Sequence, residues 1–159
     1  MAEPGWRKKD IGMCVSIGGL TLLLDRLSKR WASGLAAREP VRSIPGVLGW
    51  RYVQNTGVAF SFLQNAGLLL LILTALIIAA ALTWLLRHPD CGGWMRIGLV
   101  LLIAGGLGNL YDRMAYGYVI DFIEVLFVHF AIFNVADIAV VCGVACMMID
   151  ILKTEGKGK

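Results

Sequence analysis

Apolar residues are gathered into four long runs, separated by polar stretches that hold most of the prolines and charges. About 20 helical residues cross a hydrocarbon core, so the runs predict membrane spans over about 11–31, 66–86, 94–111 and 134–152. The second run is uninterrupted. The third and fourth carry Gly, Asn or Asp, which marks them as more than anchors. The first run follows Arg7, Lys8 and Lys9, as a cleavable signal would. Past Leu24, however, come Asp25, Arg26, Lys29 and Arg30, where a signal would need small residues for cleavage. A retained helix is the expectation.

Between the first two spans, Ala32 to Leu63 contains Pro40, Pro45, Gly46 and Gly49, which break a helix. Val47 to Gln54 alternates, with Leu48, Trp50 and Tyr52 on one side. That pattern predicts a strand whose aromatic side suits a membrane interface. Met114 to Phe133, rich in aromatic and β-branched residues, reads either as extended structure or as a short interfacial helix.

Composition agrees with the pattern. Apolar residues make up 58% and charged residues 16% of the 159, against about 45–50% and about 25% in soluble domains. Mean hydropathy is +0.72. A chain this small cannot bury so much apolar surface in its own core. The net charge of +4 comes from dispersed Lys and Arg and predicts no nucleic-acid partner. Lys and Arg are nearly balanced between the two sides, so the N-terminal cluster decides the expected orientation, with both termini cytoplasmic. Cys14, Cys142 and Cys146 lie in apolar runs and Cys91 in a short loop, which is no disulfide framework. Cys142 and Cys146 share a helix face, but no His or carboxylate within the core of that segment completes a metal site.

Charge at membrane depth is costly and therefore informative. Asp25, Asp112, Asp121, Glu124 and Asp137 all fall at the outer ends of the spans. Asp25 and Lys29 share a helix face at i, i+4; a helix-end ion pair accounts for them as well as a functional role does. Gly105, Asn109 and Asp112 form one stripe, with Arg113 at i+4 from Asn109. Ala104 and Gly108 would admit a close neighbouring helix. Helix packing alone is the competing explanation of that stripe. Asn134 and Asp137 have the spacing of an N-cap and its N3 acid, and capping alone would explain both. Against that, the helix beyond Asp137 is apolar as far as Met148.

Other hydrolytic chemistries lack their residues. No His-Glu-x-x-His occurs, and only His88 and His129 are present. No Gly-x-Ser-x-Gly turn exists. Ser28 and Lys29 point about 100° apart on a helix, and Ser61 has no evident base. Carboxylates remain.

In order along the chain stand Asp25-Arg26-Leu27-Ser28-Lys29, Asn55-Thr56-Gly57-Val58-Ala59-Phe60, Gly105-Gly106-Leu107-Gly108-Asn109-Leu110-Tyr111-Asp112-Arg113, Val119-Ile120-Asp121-Phe122-Ile123 and Phe133-Asn134-Val135-Ala136-Asp137. Each block is weak alone; together, in this order, they resemble the signature blocks of the lipoprotein signal peptidase (signal peptidase II) family. The resemblance implies an all-α membrane protein, four transmembrane helices with a small periplasmic β-sheet cradle and an interfacial outer segment. Residues 1–159 would form a single membrane-embedded peptidase domain. It implies an aspartic endopeptidase of the bacterial inner membrane, cleaving prolipoproteins just before the diacylglyceryl-modified cysteine. Asp121 and Asp137 match the family's catalytic pair. Asn55, Gly57, Gly105, Asn109, Asp112, Arg113 and Asn134 match residues around it, with Asp25 and Lys29 as a supporting pair. Arg26 departs from the glutamine usual at that position, which leaves the pairing of Asp25 open.

Such chemistry needs no metal or cofactor. Two carboxylates sharing a proton titrate as a pair, one serving as base and the other as acid. The partial positive charge of a helix N-terminus favours an ionised Asp137, with Arg113 adding to that field. Desolvation among Val119, Ile120, Phe122 and Ile123 favours a neutral Asp121. Asn134, as the cap, is expected to support the base more than the acid. The expected partners are lipid-modified prolipoproteins and membrane lipids, with the chain acting as a monomer. The alternatives are a small proton- or ion-coupled transporter, which would place its acids nearer the midplane, and a scaffold using the polar stripe for packing only.

Overall fold

The computed structural model describes residues 5–57 and 66–155; Val58, Ala59, Phe60 and Ser61 lie outside the described residues. Its elements are α1 (Lys8–Ser33), β1 (Val41–Ile44), β2 (Leu48–Asn55), α2 (Ala66–Arg87), α3 (Gly93–Tyr116), β3 (Val119–Val125) and α4 (Val135–Glu155). All four helices are long and apolar enough to cross a membrane. Each satisfies its backbone hydrogen bonds internally, as a bilayer demands.

The exposure pattern is the reverse of a soluble protein's. Leu20, Leu23, Leu24 and Leu27 on α1 and Leu68, Leu69, Ile72, Leu73 and Leu76 on α2 are exposed, whereas the largest fully buried side chains are Lys29, Asn134, Asp25, Asp112 and Asp121. Apolar faces meet lipid, and the charged groups meet one another.

Helices α3 and α4 make the most extensive pairing, and small residues allow it. A β-carbon at Gly98 would meet the Gly143 carbonyl, and one at Gly105 the Ala136 carbonyl. Only small side chains let two backbones approach this closely. At the opposite end from the sheet, Arg96 of α3 binds Asp10 of α1 at 2.9 Å and the carbonyl oxygens of Pro89 and Cys91.

Three antiparallel strands, in the order β1-β2-β3, cap one end of the helices. The β2–β3 register runs from Leu48 opposite Val125 to Asn55 opposite Val119, with an irregularity between Trp50 and Val53. Ala32, Ile120 and Phe122 are buried together there, with Trp50, Tyr52 and Tyr118 packed against them. Trp31 stands edge-on to Trp50 at 5.4 Å and to Phe122 at 6.0 Å.

The alternating segment at 47–54 is thus a strand, shifted by one residue. The second outer segment takes the extended of its two readings, as β3, and Phe133 then pairs with Ile123. Strand β1 carries no alternation of its own and is exposed throughout. Helix α3 runs five residues beyond the expected end at Tyr111. Asp112 points inward to cations instead of ending the helix, and Gly117, at φ +80°, terminates it.

Candidate active site

The acids come together beneath the sheet because each sits on a helix turn near the sheet-bearing end or on the strand above it. Asp25 and Lys29 lie near the sheet end of α1, Asp112 and Arg113 near the end of α3, Asp137 in the first turn of α4, and Asp121 on β3. Nothing local in the sequence joins Asp25 to Asp112. The crossing of α1 with α3 does.

Asp121 is held by two amides. Asn134 Nδ2 donates to its Oδ1 at 2.6 Å, and Asn55 Nδ2 donates to its Oδ2 at 2.8 Å. Asn55 is oriented in turn by the backbone N–H of Gly57, which donates to Asn55 Oδ1 at 2.8 Å. Gly57 makes that turn at φ +76°, and a β-carbon there would also run into Leu70. Burial pushes the Asp121 carboxyl up to about 6; the Asn55 amide works against that, Asp137 adds to it, and the Asn134 amide and Lys29 oppose it.

Asp137 closes a capping box. Its backbone N–H donates to Asn134 Oδ1 at 2.9 Å, and its Oδ2 accepts the Asn134 backbone N–H at 3.0 Å. Its Oδ1 accepts Asn109 Nδ2 at 2.7 Å. The Asn109 oxygen accepts both Lys29 Nζ at 2.8 Å and Asn134 Nδ2 at 3.1 Å. With that oxygen saturated, the Asn109 amide can present only its N–H side to Asp137.

The local pair expected from Asp25 and Lys29 exists, at 3.0 Å, but as part of something larger. Lys29 also binds Asp112 at 2.8 Å, and Arg26 binds both Asp25 and Asp112. Asp25 further accepts the Ala136 backbone N–H at 3.2 Å, and Asp112 accepts that of Ile120 at 3.3 Å. The polar stripe is therefore more than helix glue: it fixes the start of α4 and the position of β3. Gly105 contributes the close approach to α4 beside it.

One expectation changes. Asn134 serves both acids, and its side-chain N–H donors go to Asp121 and Asn109, while Asp137 receives its backbone N–H. Arg113 is half-buried and within electrostatic reach of Asp137, Asp121 and Asp112, with no ion pair among the described residues. It lines a cleft with Asp137 and another with Asn55 and Gly117. Arg26 also joins the site, a residue that the sequence marks only by its departure from the glutamine usual there.

Asp121 and Asp137 open on one cavity of about 460 Å³ with Asn55, Phe130, Phe133, Ile138 and Val141. A second cleft, about 410 Å³, reaches Asp137 and Asn109 from the other side, between Ile77, Ile78, Leu102 and Val140. Among the described residues no group of three or more His, Cys, Asp or Glu is placed to hold a metal ion.

Two carboxylates at the end of four membrane helices, reached through apolar clefts, define an integral membrane enzyme. Two solved structures share this architecture. Both are described as a bacterial membrane enzyme studied by the in meso method. One, at 2.3 Å resolution, has a TM-score of 0.80 and 29% identity, covering 94% of this chain and 93% of that one. The other, at 1.9 Å, has a TM-score of 0.81 and 27% identity, covering 96% and 99%. Residues 17–153 match the family described as Signal peptidase (SPase) II. A lipoprotein signal peptidase of Streptococcus pyogenes serotype M1 is 43% identical over 140 residues, 87% of this chain and 92% of its own length. One from Streptococcus agalactiae serotype Ia is 39% identical over 140 residues, 87% and 91% of the two chains. The chain belongs to the signal peptidase II family. It is a multi-pass membrane peptidase, and the transporter alternative is set aside.

Proposed function

We propose that this chain is an aspartic endopeptidase that removes the signal peptide from prolipoproteins, cleaving just before the diacylglyceryl-modified cysteine, with Asp121 and Asp137 as the catalytic pair. The observation that carries it is the shared cavity, in which both carboxylates are held by amides and backbone N–H groups instead of by cations. Among the described residues neither acid is neutralised by an ion pair, so one proton can be shared between them.

Asp137, held by two N–H donors in the first turn of α4, is the resting base. Asp121, whose carboxyl burial pushes up to about 6, is the resting acid. Asp137 takes a proton from water as the water oxygen bonds to the scissile carbonyl carbon. Asp121 gives its proton to the carbonyl oxygen, forming a neutral gem-diol. The diol returns a proton to Asp121, Asp137 protonates the leaving nitrogen, and the C–N bond breaks. The pair ends in its starting state.

The substrate has two apolar arms, a signal helix and a diacylglyceryl group, and two apolar clefts meet at Asp137. Ile138 and Val141 line the larger cleft and are also exposed on the outer surface of α4, so an apolar arm can enter from the bilayer. On this reading the enzyme works in the bacterial inner membrane, with both termini cytoplasmic and the sheet-bearing end toward the periplasm.

The test is incubation of the purified protein, in detergent, with a diacylglyceryl-modified prolipoprotein. Wild type should shift the substrate on a gel by the mass of the signal peptide. Asp121→Asn and Asp137→Asn should each abolish the shift while still accumulating. Turnover by either variant near the wild-type rate would refute the assignment.

A further inference from the structure

Between α1 and α3 the ion pairs close into a four-membered ring. Arg26 Nη2 meets Asp25 Oδ2 at 2.6 Å and Arg26 Nη1 meets Asp112 Oδ1 at 2.7 Å. Lys29 Nζ meets Asp25 Oδ1 at 3.0 Å and Asp112 Oδ2 at 2.8 Å. Each cation touches both acids, and the set is neutral. Asp25, Lys29 and Asp112 are buried, while the Arg26 side chain is 31% exposed. Its outer face lies 4.8 Å from the Tyr111 ring centre, and Nη2 also donates to the Gly108 carbonyl at 2.9 Å.

Without Arg26, two buried carboxylates would face one ammonium, leaving a net negative charge in low-dielectric surroundings. Lys29 has three N–H donors. Two are used on Asp25 and Asp112, and the third reaches Asn109. That third bond keeps the Asn109 oxygen occupied and so turns its N–H toward Asp137.

We propose that Arg26 is a positioning residue for the carboxylate pair: by neutralising Asp25 and Asp112 it leaves the Lys29 ammonium directed at Asn109, and thereby holds the Asn109 amide on Asp137. This rests on the aspartic mechanism above. The charged groups facing the pair are Asp25 and Lys29 from α1, Asp112 and Arg113 from α3, and the two acids themselves on β3 and α4. Helix α2 has its only charge, Arg87, at the far end, and β2 contributes the neutral Asn55. Arg26 is therefore the member whose loss unbalances the set from its exposed edge. It is not among the residues lining either cleft that reaches Asp137, so substrate affinity should not depend on it.

The experiment is a charge-balance cycle read by the pH profile of kcat. Arg26→Gln should move the acidic limb upward by about half a pH unit or more, the effect of one uncompensated charge nearby, with KM unchanged. Arg26→Gln combined with Asp112→Asn restores neutrality and should bring the limb back toward wild type. Arg26→Lys, which keeps the charge, should hold it there. A variant Arg26→Gln that melts earlier but keeps the wild-type limb would overturn the proposal, leaving a structural role only. A limb that shifts and fails to return in the double variant would overturn the charge balance. Should Arg26→Gln not accumulate, the two neutral variants must share the wild-type limb, and divergence between them counts against the proposal. Activity persisting in Asp137→Asn would instead defeat the aspartic mechanism, whatever Arg26 does.

Discussion

Asn134→Ala separates the supports of the two acids. The substitution deletes the donor at 2.6 Å from Asp121 and the cap acceptor for the Asp137 backbone, but it keeps the residue-134 backbone N–H that reaches Asp137. A hydrogen bond to a charged group contributes about 1.5–3 kcal/mol net. Water in the cavity can replace part of it, so the lower figure applies. At 1.36 kcal/mol per unit, about 1.5 kcal/mol raises the Asp121 carboxyl by about one unit, from about 6 to about 7. With Asp121 as the resting acid, its deprotonation sets the alkaline limb of the kcat/KM profile. That limb should move up by about one unit. The acidic limb should move less, because Asn109 and the backbone still donate to Asp137. The lost cap adds about 1 kcal/mol of destabilisation, which thermal unfolding in detergent would register. The assay is signal-peptide release from a lipid-modified precursor between about pH 4 and 9, with titrations read as properties of the pair. An unmoved alkaline limb, or a larger shift of the acidic one, in a variant shown to be folded would reverse the assignment of roles.

The double variant Asp121→Asn/Asp137→Asn should be little slower than either single one, since residues acting as a unit are strongly non-additive; single-turnover rates check this. Asp121 binds its proton more tightly in the fold, near 6, than at its ordinary 3.8, so its contribution to stability is full below about 3.8 and lost as pH rises through about 6. Asp121→Asn should therefore melt a few degrees above wild type at neutral pH, with the gain shrinking toward pH 4; equal melting curves at every pH would contradict this. Gly57→Ala forces a side chain into left-handed backbone, at about 1–2 kcal/mol, and displaces Asn55; about tenfold lower kcat/KM is expected with the protein still folded, measured by the same release assay. Activity should survive EDTA unchanged; loss that zinc restores would point to a metal the mechanism does not use.

Much of the architecture was legible in the chain because a bilayer constrains sequence harshly. A span must be apolar over a fixed length, so four runs predicted four helices, and any carboxylate within or beside them stood out. Alternation at Leu48, Trp50 and Tyr52 revealed β2 because one side of that strand is buried against Ile120 and Phe122. The Asn134–Asp137 capping box was equally visible, being a contact within four residues. Strand β1 was not, since both its faces are exposed and no burial imposes a period. The end of α3 is hidden from the sequence for a related reason. A charge reads as the end of a span unless its partner is known, and Asp112 has its cations on another helix. The links that join these local pairs into one site lie on the tertiary side: Arg26 and Asp112 are 86 positions apart, and Asn55 and Asp121 are 66. Sequence by itself determined which groups are too costly to leave unpaired in a membrane. The crossing of α1 with α3, and of α3 with α4 at small residues, decided which partner each of them found.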